Sequence, residues 1–203
     1  MKSRVNKGGL VFILSGPSGS GKTTLLKGIL RRKDLKNQLA RSVSLTTRPK
    51  RSGERDGRDY FFISAEQFKE ARKAKKILEW TRYLGYYYAT PKALIDCKLK
   101  RAKNLILCLD LKGAFVLKRR YPCNVVTIFV MPPSLDTLLG RITRRCRSTR
   151  DEEVRQRLGL AQEEVRVAAR YDYCVVNKNL SEATRQLKDI ILKEILHRQT
   201  GKS

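Results

Sequence analysis

The chain has 203 residues and a large excess of positive charge. This length suits one compact domain, or a core domain that carries a small inserted one. No apolar stretch approaches the roughly 20 residues of a membrane span, and the N-terminus lacks the apolar centre of a signal peptide, so we expect a cytoplasmic protein. Five scattered cysteines without a CxxC pair, beside a single histidine, argue against a metal site built from cysteine and histidine and favour reduced, mostly buried thiols.

The basic residues are dispersed in short clusters along the chain. Lys and Arg number 45 against 19 Asp and Glu, which gives a formal net charge of +26. A field of that sign attracts polyanions such as nucleotides, RNA or anionic lipid surfaces. Because no zinc finger, aromatic RNP pattern or GXXG motif accompanies the charge, solvated faces plus a polyphosphate site are favoured over a dedicated nucleic-acid interface, which stays an alternative.

The first strong motif follows an apolar run at residues 10–14. Residues 16–23 read GPSGSGKT and match the phosphate-binding pattern GxxxxGK[ST], between a predicted buried strand and a predicted helix. Glycines in this loop let backbone N–H groups point at a phosphate, and the helix adds its positive dipole end. Lys22 is expected to reach the β- and γ-phosphates and Thr23 to offer a hydroxyl to Mg²⁺; a glycine-rich turn with a chance lysine is the alternative. The predicted nucleotide-binding residues of the loop are Gly16, Pro17, Ser18, Gly19, Ser20, Gly21, Lys22, Thr23 and Thr24.

Strands and helices alternate through much of the remaining chain. Apolar runs at residues 105–109 and 125–130 are typical of central parallel strands, and a helical pattern follows each one. A shorter strand at residues 173–176 ends at Asn177, and Ser181 is the predicted N-cap of a long last helix. This alternation predicts a three-layer α/β fold with a parallel sheet and with ligands at the carboxyl ends of the strands.

Two segments break the alternation. Residues 42–95 hold most of the tyrosines, several glycines and short apolar runs, which predicts an inserted β-rich acceptor module between a core of residues 1–41 and 96–203. Residues 141–153 carry many arginines without an apolar period. They predict a mobile lid over the phosphates at about residues 141–156, with an exposed basic helix end as the alternative.

Motifs spread over nearly the whole chain resemble the guanylate kinase family of P-loop nucleoside monophosphate kinases. After the phosphate loop come SVSLTTR at 42–48, LEW at 78–80, GYYY at 85–88, PPS at 132–134 and VN at 176–177. The resemblance implies a P-loop NTPase core with a GMP-binding module and a lid. It also implies an enzyme that transfers the γ-phosphoryl group of ATP to GMP, giving ADP and GDP, with Mg²⁺ as cofactor. Since the acceptor is already an anionic phosphate oxygen, positioning and charge neutralisation replace a general base.

By the same resemblance, the inserted module binds GMP. Two arginines and two tyrosines match the positions that grip the GMP phosphate, a role that suits planar guanidinium groups and phenol donors. Ser44 and Glu79 match the guanine readers, because a carboxylate accepts from guanine N1–H and the 2-amino group, and adenine lacks both donors. The implied GMP-binding residues are Ser44, Arg48, Arg51, Glu54, Tyr60, Glu79, Tyr88, Thr90 and Asp110.

The resemblance also implies the catalytic residues and completes the ATP site. Lys22 follows the phosphoryl group in transit, while arginines neutralise charge and exclude water. The implied catalytic residues are Lys22, Arg48, Arg145 and Arg157; Arg144 and Arg147 are alternatives to Arg145, because the chain carries one extra residue in this stretch. Arg141 and Asn177 complete the ATP-binding set, and Thr23 is the implied metal ligand.

One departure from the family pattern bears on the metal. The family usually ends a core strand with Asp-x-Asp, whereas this chain has Cys108 in the first position and keeps Asp110. The loss of a carboxylate there puts the metal shell, or full activity, in question. The alternatives to the GMP kinase are a partner-binding module, which typically has a degraded phosphate loop, a kinase of another phosphorylated acceptor, and an RNA-binding protein. A homo-oligomer is also compatible with the sequence.

Overall fold

The computed structural model describes residues 8–83, 85–145, 159 and 161–201. In chain order, the elements are β1 (Val11–Ser15), α1 (Lys22–Leu30), β2 (Leu39–Arg41), β3 (Leu45–Thr46), β4 (Phe61–Phe62), α2 (Ala65–Lys73), β5 (Ile77–Tyr83), β6 (Tyr86–Pro91), α3 (Lys92–Lys100), β7 (Asn104–Cys108), α4 (Leu111–Arg120), β8 (Val125–Met131), α5 (Leu135–Arg145), a helix at 161–166 (α6), a short 3₁₀ turn (Ala168–Arg170), β9 (Tyr173–Val176) and α7 (Leu180–Thr200).

A five-stranded parallel sheet in the order β2-β7-β1-β8-β9 forms the centre of the molecule. The side chains of β1 are buried on both faces, as its continuous apolar run predicts. On one face Phe12 and Leu14 belong to an apolar cluster with residues of α1 and α7. On the other face Ile13 packs with residues of α3 and α4. The predicted three-layer α/β fold is therefore confirmed.

A second, four-stranded sheet in the order β4-β3-β6-β5 lies within residues 42–95. Helix α2 covers one of its faces through Phe68, whose ring stacks on Tyr87 at 4.4 Å and meets the edge of Trp80 at 5.9 Å. Ser64 and Gln67 cap the start of α2 reciprocally through their side chains and backbone N–H groups. The β-rich expectation for this segment thus missed a helix of nine residues. That residues 42–95 form a separate module stays a prediction.

Two local expectations need correction, and the structure describes only part of a third segment. The N-cap of α7 is Asn179, not Ser181, because the Asn179 side chain accepts hydrogen bonds from the backbone N–H groups of Ser181 (2.9 Å) and Glu182 (3.2 Å). Residues 141–145, the start of the predicted lid, form the last turn of α5, which fits the alternative of a basic helix end; the rest of the predicted lid to residue 156 lies outside the described residues. The four described cysteines are less buried than expected, since Cys97, Cys123 and Cys174 are exposed and Cys108 is half-buried, while Cys146 lies outside the described residues.

Within the described residues, no helix combines the length and the apolar character that crossing a membrane requires.

Candidate functional site

The phosphate loop connects the end of β1 to the start of α1. It needs glycine at two positions where its backbone lies close to neighbouring segments. Gly16 has φ +134°, and a Cβ there would lie 2.4 Å from the carbonyl oxygen of Val130. Gly21 has φ +98°, and a Cβ there would lie 2.2 Å from Nδ2 of Asn177. Any side chain at either position therefore meets both backbone strain and a steric clash. The loop fits between the ends of β8 and β9 only with this backbone.

Lys22 curls back over the loop that precedes it. Its ammonium donates hydrogen bonds to the carbonyl oxygens of Gly16 and Pro17, the latter at 2.9 Å. Thr23 and Thr24 are exposed in the first turn of α1. The N-cap residue of α1 is Gly21, which has no side chain to cap the first N–H groups of the helix. Exposed hydroxyls, a positive helix end and an ammonium group face the same loop, which is the composition of an anion site.

The end of β9 is fastened to this loop through Asn177. Its amide Nδ2 donates to the carbonyl oxygen of Ser20 at 2.7 Å, and its backbone N–H donates to Met131 at 2.8 Å. Arg141, on α5, reaches the carbonyl oxygen of Asn177 with Nη2 at 3.4 Å. The fold thus brings Asn177 and Arg141 to the phosphate loop, although more than 100 residues of sequence separate them from it.

Four of the residues expected to bind GMP lie in one row across the second sheet. Strand β6 pairs with β5 so that Ala89 faces Trp80, which places Thr90 beside Glu79. Strand β3 pairs with β6 through Leu45 and Ala89, and with β4 through Leu45 and Phe61. Extending both strand pairings by one residue places Ser44 between Tyr60 and Thr90. The order across the sheet is Tyr60, Ser44, Thr90 and Glu79.

Glu79 is the buried carboxylate of this row. It is only 7% exposed, accepts a hydrogen bond from the hydroxyl of Thr90, and lies against the first turn of α4. A Cβ on Gly113 would lie 2.6 Å from Oε2 of Glu79, so this glycine makes the space that the carboxylate occupies. Burial raises the pKa of Glu79 to about 7; the Thr90 hydrogen bond opposes the rise and the charge of Asp110 adds to it.

A guanidinium and two phenol rings meet on the same face of the sheet. The rings of Tyr60 and Tyr88 lie edge to face at 5.9 Å, and the guanidinium carbon of Arg48 is 5.6 Å from the centre of the Tyr60 ring. Glu54 fixes Arg48 through two hydrogen bonds of 2.8 and 2.9 Å, and it also accepts from the backbone N–H of Arg51 at 2.9 Å.

The ion pair between Arg48 and Glu54 shifts the pKa of both side chains. Burial would lower the pKa of Arg48, but the hydrogen bond to Glu54 and interactions with Tyr88 raise it overall. Burial likewise would raise the pKa of Glu54, but the backbone N–H of Arg51 and the guanidinium of Arg48 lower it. Arg51 itself is exposed. Glu54 therefore positions the guanidinium of Arg48 and the loop that carries Arg51.

Cys108 stands where the two halves of the site approach each other, at the carboxyl end of β7. Burial raises the pKa of its thiol to about 11, although Lys22 and Arg41 act in the opposite direction. The thiol is therefore neutral near pH 7 and supplies no negative charge. Asp110, two residues on, caps α4 by accepting from the backbone N–H of Gly113 at 2.8 Å.

Sequence reasoning missed three residues of this region. Glu164 on α6 is near enough to the phosphate loop for charge effects: burial raises its pKa, Lys22 lowers it and Asp110 raises it. Arg41 holds the loop before Tyr60 by pairing with Asp59 at 3.5 Å. Glu164 and Arg41 belong to no short motif, and Gly113 has an ordinary helical position, so only the fold reveals them.

The lid arginines are the part of the expected site that the structure leaves untested. Arg145 is the last residue of α5, and nothing is described of its side chain or of that of Arg144. Arg147 and Arg157 lie outside the described residues.

Comparisons with known proteins agree with this geometry. A family model described as guanylate kinase matches residues 9–194. A guanylate kinase of Desulfitobacterium hafniense is 42% identical over 187 residues, which cover 92% of this chain and 90% of the relative. One of Caldanaerobacter subterraneus subsp. tengcongensis is 38% identical over 191 residues, covering 94% and 90% respectively. The crystal structure of guanylate kinase from Anaplasma phagocytophilum superposes with a TM-score of 0.74 at 29% identity, covering 92% of this chain and 86% of that one.

Proposed function

The chain belongs to the guanylate kinase family and transfers the γ-phosphoryl group of ATP to GMP, and from that premise we propose how its own residues perform the reaction. The observation that carries the proposal is the buried Glu79 in one row with Thr90 and Ser44, on the face of the second sheet that also holds Tyr60, Tyr88 and Arg48. The row provides acceptors and hydroxyls for a base, and the phenols and guanidinium provide donors for a phosphate.

Glu79 reads the guanine ring. Its ionised carboxylate accepts from N1–H and from the 2-amino group, while the hydroxyls of Ser44 and Thr90 complete the polar edge. An adenine in this position leaves the buried carboxylate unpaired, which costs several kcal/mol when a site is built to accept such bonds. Asp110 lies close to this base subsite, and Gly113 leaves the space that the carboxylate needs.

Tyr60, Tyr88, Arg48 and Arg51 bind the phosphate of GMP. Phenol hydroxyls and guanidinium forks match a dianion in geometry and in charge. Glu54 acts as a positioning residue, since it holds Arg48 by two hydrogen bonds and the loop of Arg51 by a third. Arg48 is placed to face the acceptor oxygen and to neutralise the charge that accumulates as the phosphoryl group crosses.

The phosphate loop binds ATP. Backbone N–H groups of the loop after Pro17 and of the first turn of α1 surround the phosphates, and Lys22 exchanges its bonds to the Gly16 and Pro17 carbonyls for bonds to the β- and γ-phosphates. Asn177 and Arg141 border the nucleoside end of this site. Arg145 and Arg157 close over the phosphates and exclude water, which would otherwise accept the phosphoryl group.

The donor groups of this loop fit Mg²⁺ bound mainly through substrate. Among the described residues, no group of three or more His, Cys, Asp or Glu side chains forms an all-protein metal site. The exposed hydroxyl of Thr23 offers one ligand, while phosphate oxygens and water fill the other positions that Mg²⁺ prefers. When bound, the ion neutralises charge on the phosphates. Asp110 and Glu164 are the carboxylates that can hold its water ligands, because Cys108 is a neutral thiol.

We also propose that the protein works in the cytoplasm. The four cysteines in the described residues are free thiols, which is the usual state in a reducing compartment.

Calorimetric titration with GMP and AMP at pH 8 tests the base-reading proposal. Glu79→Gln replaces an acceptor with a donor opposite N1–H, so we expect GMP affinity to fall about 100-fold while ATP affinity is unchanged. Glu70→Gln, at an exposed glutamate on α2, is the matched control and should bind both nucleotides like the wild type. Equal GMP affinity in the two variants would show that Glu79 does not read the base.

A further inference from the structure

A second site with strong positive charge lies along β5, the edge strand of the four-stranded sheet. A cleft of about 350 Å³ opens between the end of α2, strand β5, the start of α3 and the end of α4. Four cations and an indole line it, together with apolar side chains of β5; the cations are Arg72, Lys75, Lys92 and Arg120, and the indole is that of Trp80. We call this set of five residues the basic cleft.

The basic cleft is separate from the GMP site. Trp80 packs against Phe68 and Tyr87 under α2, whereas its neighbour Glu79 contacts Thr90 and the first turn of α4. Arg120 ends α4, seven residues beyond Gly113, which corresponds to about 10 Å along a helix. The cleft residues therefore take no part in the proposed binding of either substrate.

Direct ion pairs do not balance the positive charge of the cleft within the described residues, although Arg120 interacts with Tyr121, whose hydroxyl donates a hydrogen bond to Asp96. None of its four cations forms an ion pair with an acidic side chain in the part of the chain that the structure describes, and no acidic residue is among those that line the cleft. Lys75 has φ 54°, the left-handed conformation that usually selects glycine at a helix end. Lys75 therefore adds its charge to the cleft from a backbone conformation that is strained for a residue with a side chain.

The indole of Trp80 supplies the second half of a recognition site. It is 40% exposed although it is one of the largest apolar side chains, and the guanidinium of Arg72 lies over its ring at 4.7 Å. An exposed aromatic ring with an adjacent guanidinium is the platform on which an unpaired base stacks, and flanking cations suit the phosphates on either side of that base. The volume of the cleft is at the lower end of ligand pockets, which is enough for one base.

We propose that the basic cleft binds single-stranded nucleic acid, with one base stacked on Trp80 in place of the Arg72 guanidinium, and with the neighbouring phosphates paired to Arg72, Lys75, Lys92 and Arg120. A duplex fits the site less well because its bases are already stacked and paired. A free polyphosphate makes no use of the indole. Binding here uses none of the machinery of phosphoryl transfer, so the kinase reaction and the strand interaction can occur on the same molecule.

Trp80 is the only tryptophan of the chain, so its fluorescence reports directly on the cleft. We would titrate the full-length protein with a 12-nucleotide oligouridylate RNA in 100 mM salt and follow tryptophan quenching together with the anisotropy of a labelled strand. Parallel titrations use duplex RNA of the same length, inorganic tripolyphosphate and anionic lipid vesicles. We expect quenching by the single strand, and weaker or absent quenching by the other three.

Two variants with the same loss of charge distinguish binding at the basic cleft from general electrostatic attraction of the strand to the protein. The cleft variant carries Arg72→Gln, Lys75→Gly, Lys92→Gln and Arg120→Gln. The control variant carries Lys27→Gln, Arg31→Gln, Lys33→Gln and Lys36→Gln, at exposed positions in and after α1. We expect the cleft variant to bind at least about tenfold more weakly, with a salt slope reduced by about 3, and the control variant to change less than about twofold. Both should retain the kinase turnover of the wild type, which shows that they fold.

Trp80→Leu and Trp80→Phe test the stacking contact by anisotropy. Leu should weaken binding about tenfold, and Phe should restore a large part of the loss. Four results would overturn the proposal: no quenching by the single strand, equal losses in the cleft and control variants, equal binding of duplex and single strand, or cleft-dependent binding of tripolyphosphate or vesicles in place of the strand.

Discussion

At the scale of single residues, the ionisation of Glu79 is expected to make GMP binding depend on pH near neutrality. In the free protein the pKa of Glu79 is about 7, and guanine binds only the ionised carboxylate. GMP affinity should therefore fall about tenfold for each pH unit below 7, and binding at pH 7 should release about 0.5 proton from this group. Calorimetry in buffers of different ionisation enthalpy measures that release. Glu79→Gln should abolish it, and an unchanged proton count in this variant would rule out Glu79 as the source.

The same pKa predicts how Glu79 affects folding stability. Its folded pKa, about 7, lies above the ordinary glutamate value of 4.5, so its contribution to stability is present at low pH and is lost as the pH rises through 7. Glu79→Gln should leave the free energy of unfolding nearly unchanged at pH 4.5 and raise it by about 3 kcal/mol at pH 8. Urea denaturation at the two pH values measures this difference. A variant that is destabilised at pH 8 would contradict the burial of a charged carboxylate.

Gly113 is predicted to matter for substrate binding although it belongs to no motif. Gly113→Ala places a Cβ 2.6 Å from Oε2 of Glu79, so the carboxylate must move and GMP affinity should fall at least about tenfold, with ATP affinity retained. Gly28→Ala on α1 is the matched control, since its Cβ meets only Thr184 at ordinary contact distance. Unchanged GMP binding in Gly113→Ala, measured by calorimetry, would show that the carboxylate does not need this space.

The site residues were predictable from sequence to different degrees. Lys22 and Thr23 belong to a contiguous motif whose local backbone geometry creates the site, so their placement follows from spacing. The row of Tyr60, Ser44 and Thr90 beside Glu79 depends on the registers of three strand pairs, and no local pattern encodes such long-range pairing. The resemblance to a family named those residues, but only the fold shows that they are neighbours.

At the scale of secondary-structure elements, α2 shows why the sequence predicted a β-rich inserted segment without this helix. Only Phe68 of this helix is buried, so the apolar period that identifies a helix is nearly absent. The capping pair Ser64 and Gln67 was the one signal in the sequence that marked its start. The central strands were easier, because β1 and β8 are continuous apolar runs buried on both faces.

The cap of α7 gives a prediction at this scale. Asn179→Ala removes the acceptor for the backbone N–H groups of Ser181 and Glu182, and it should lower the free energy of unfolding by about 1 kcal/mol. Ser181→Ala, two residues into the helix, should change it by less than about 0.5 kcal/mol. Urea denaturation of both variants decides between the two caps. A larger loss for Ser181→Ala would contradict the assignment of Asn179.

At the scale of the whole molecule, the two substrates should stabilise the fold through separate sites. A ligand at about 100 times its Kd adds about 2.7 kcal/mol, which for a chain of 203 residues raises Tm by roughly 5–10 °C. Thermal unfolding of Lys22→Met should keep the shift caused by GMP and lose most of the shift caused by ATP. Glu79→Gln should show the reverse pattern. Loss of both shifts in either variant would mean that the two sites are not independent.

The net charge of +26 is the property of the whole molecule that the kinase reaction explains least. A few cations suffice for the two nucleotides, and the dispersed pattern in the sequence favoured solvated faces. The fold nevertheless collects four of the cations around one exposed indole, because three helix ends converge on the edge of β5. That convergence is invisible in a linear charge pattern, which is why the sequence favoured no second anion site.

The most direct test of the central claim is a coupled ADP-release assay with ATP and Mg²⁺, run in parallel with GMP, AMP, CMP and UMP. We expect turnover with GMP alone, reduced by about 100-fold or more in Lys22→Met, with Cys108 tolerated in place of a carboxylate. Comparable turnover with AMP would contradict the role of Glu79 as the reader of guanine. A folded protein that binds both nucleotides without turnover would contradict the assignment of these residues to catalysis.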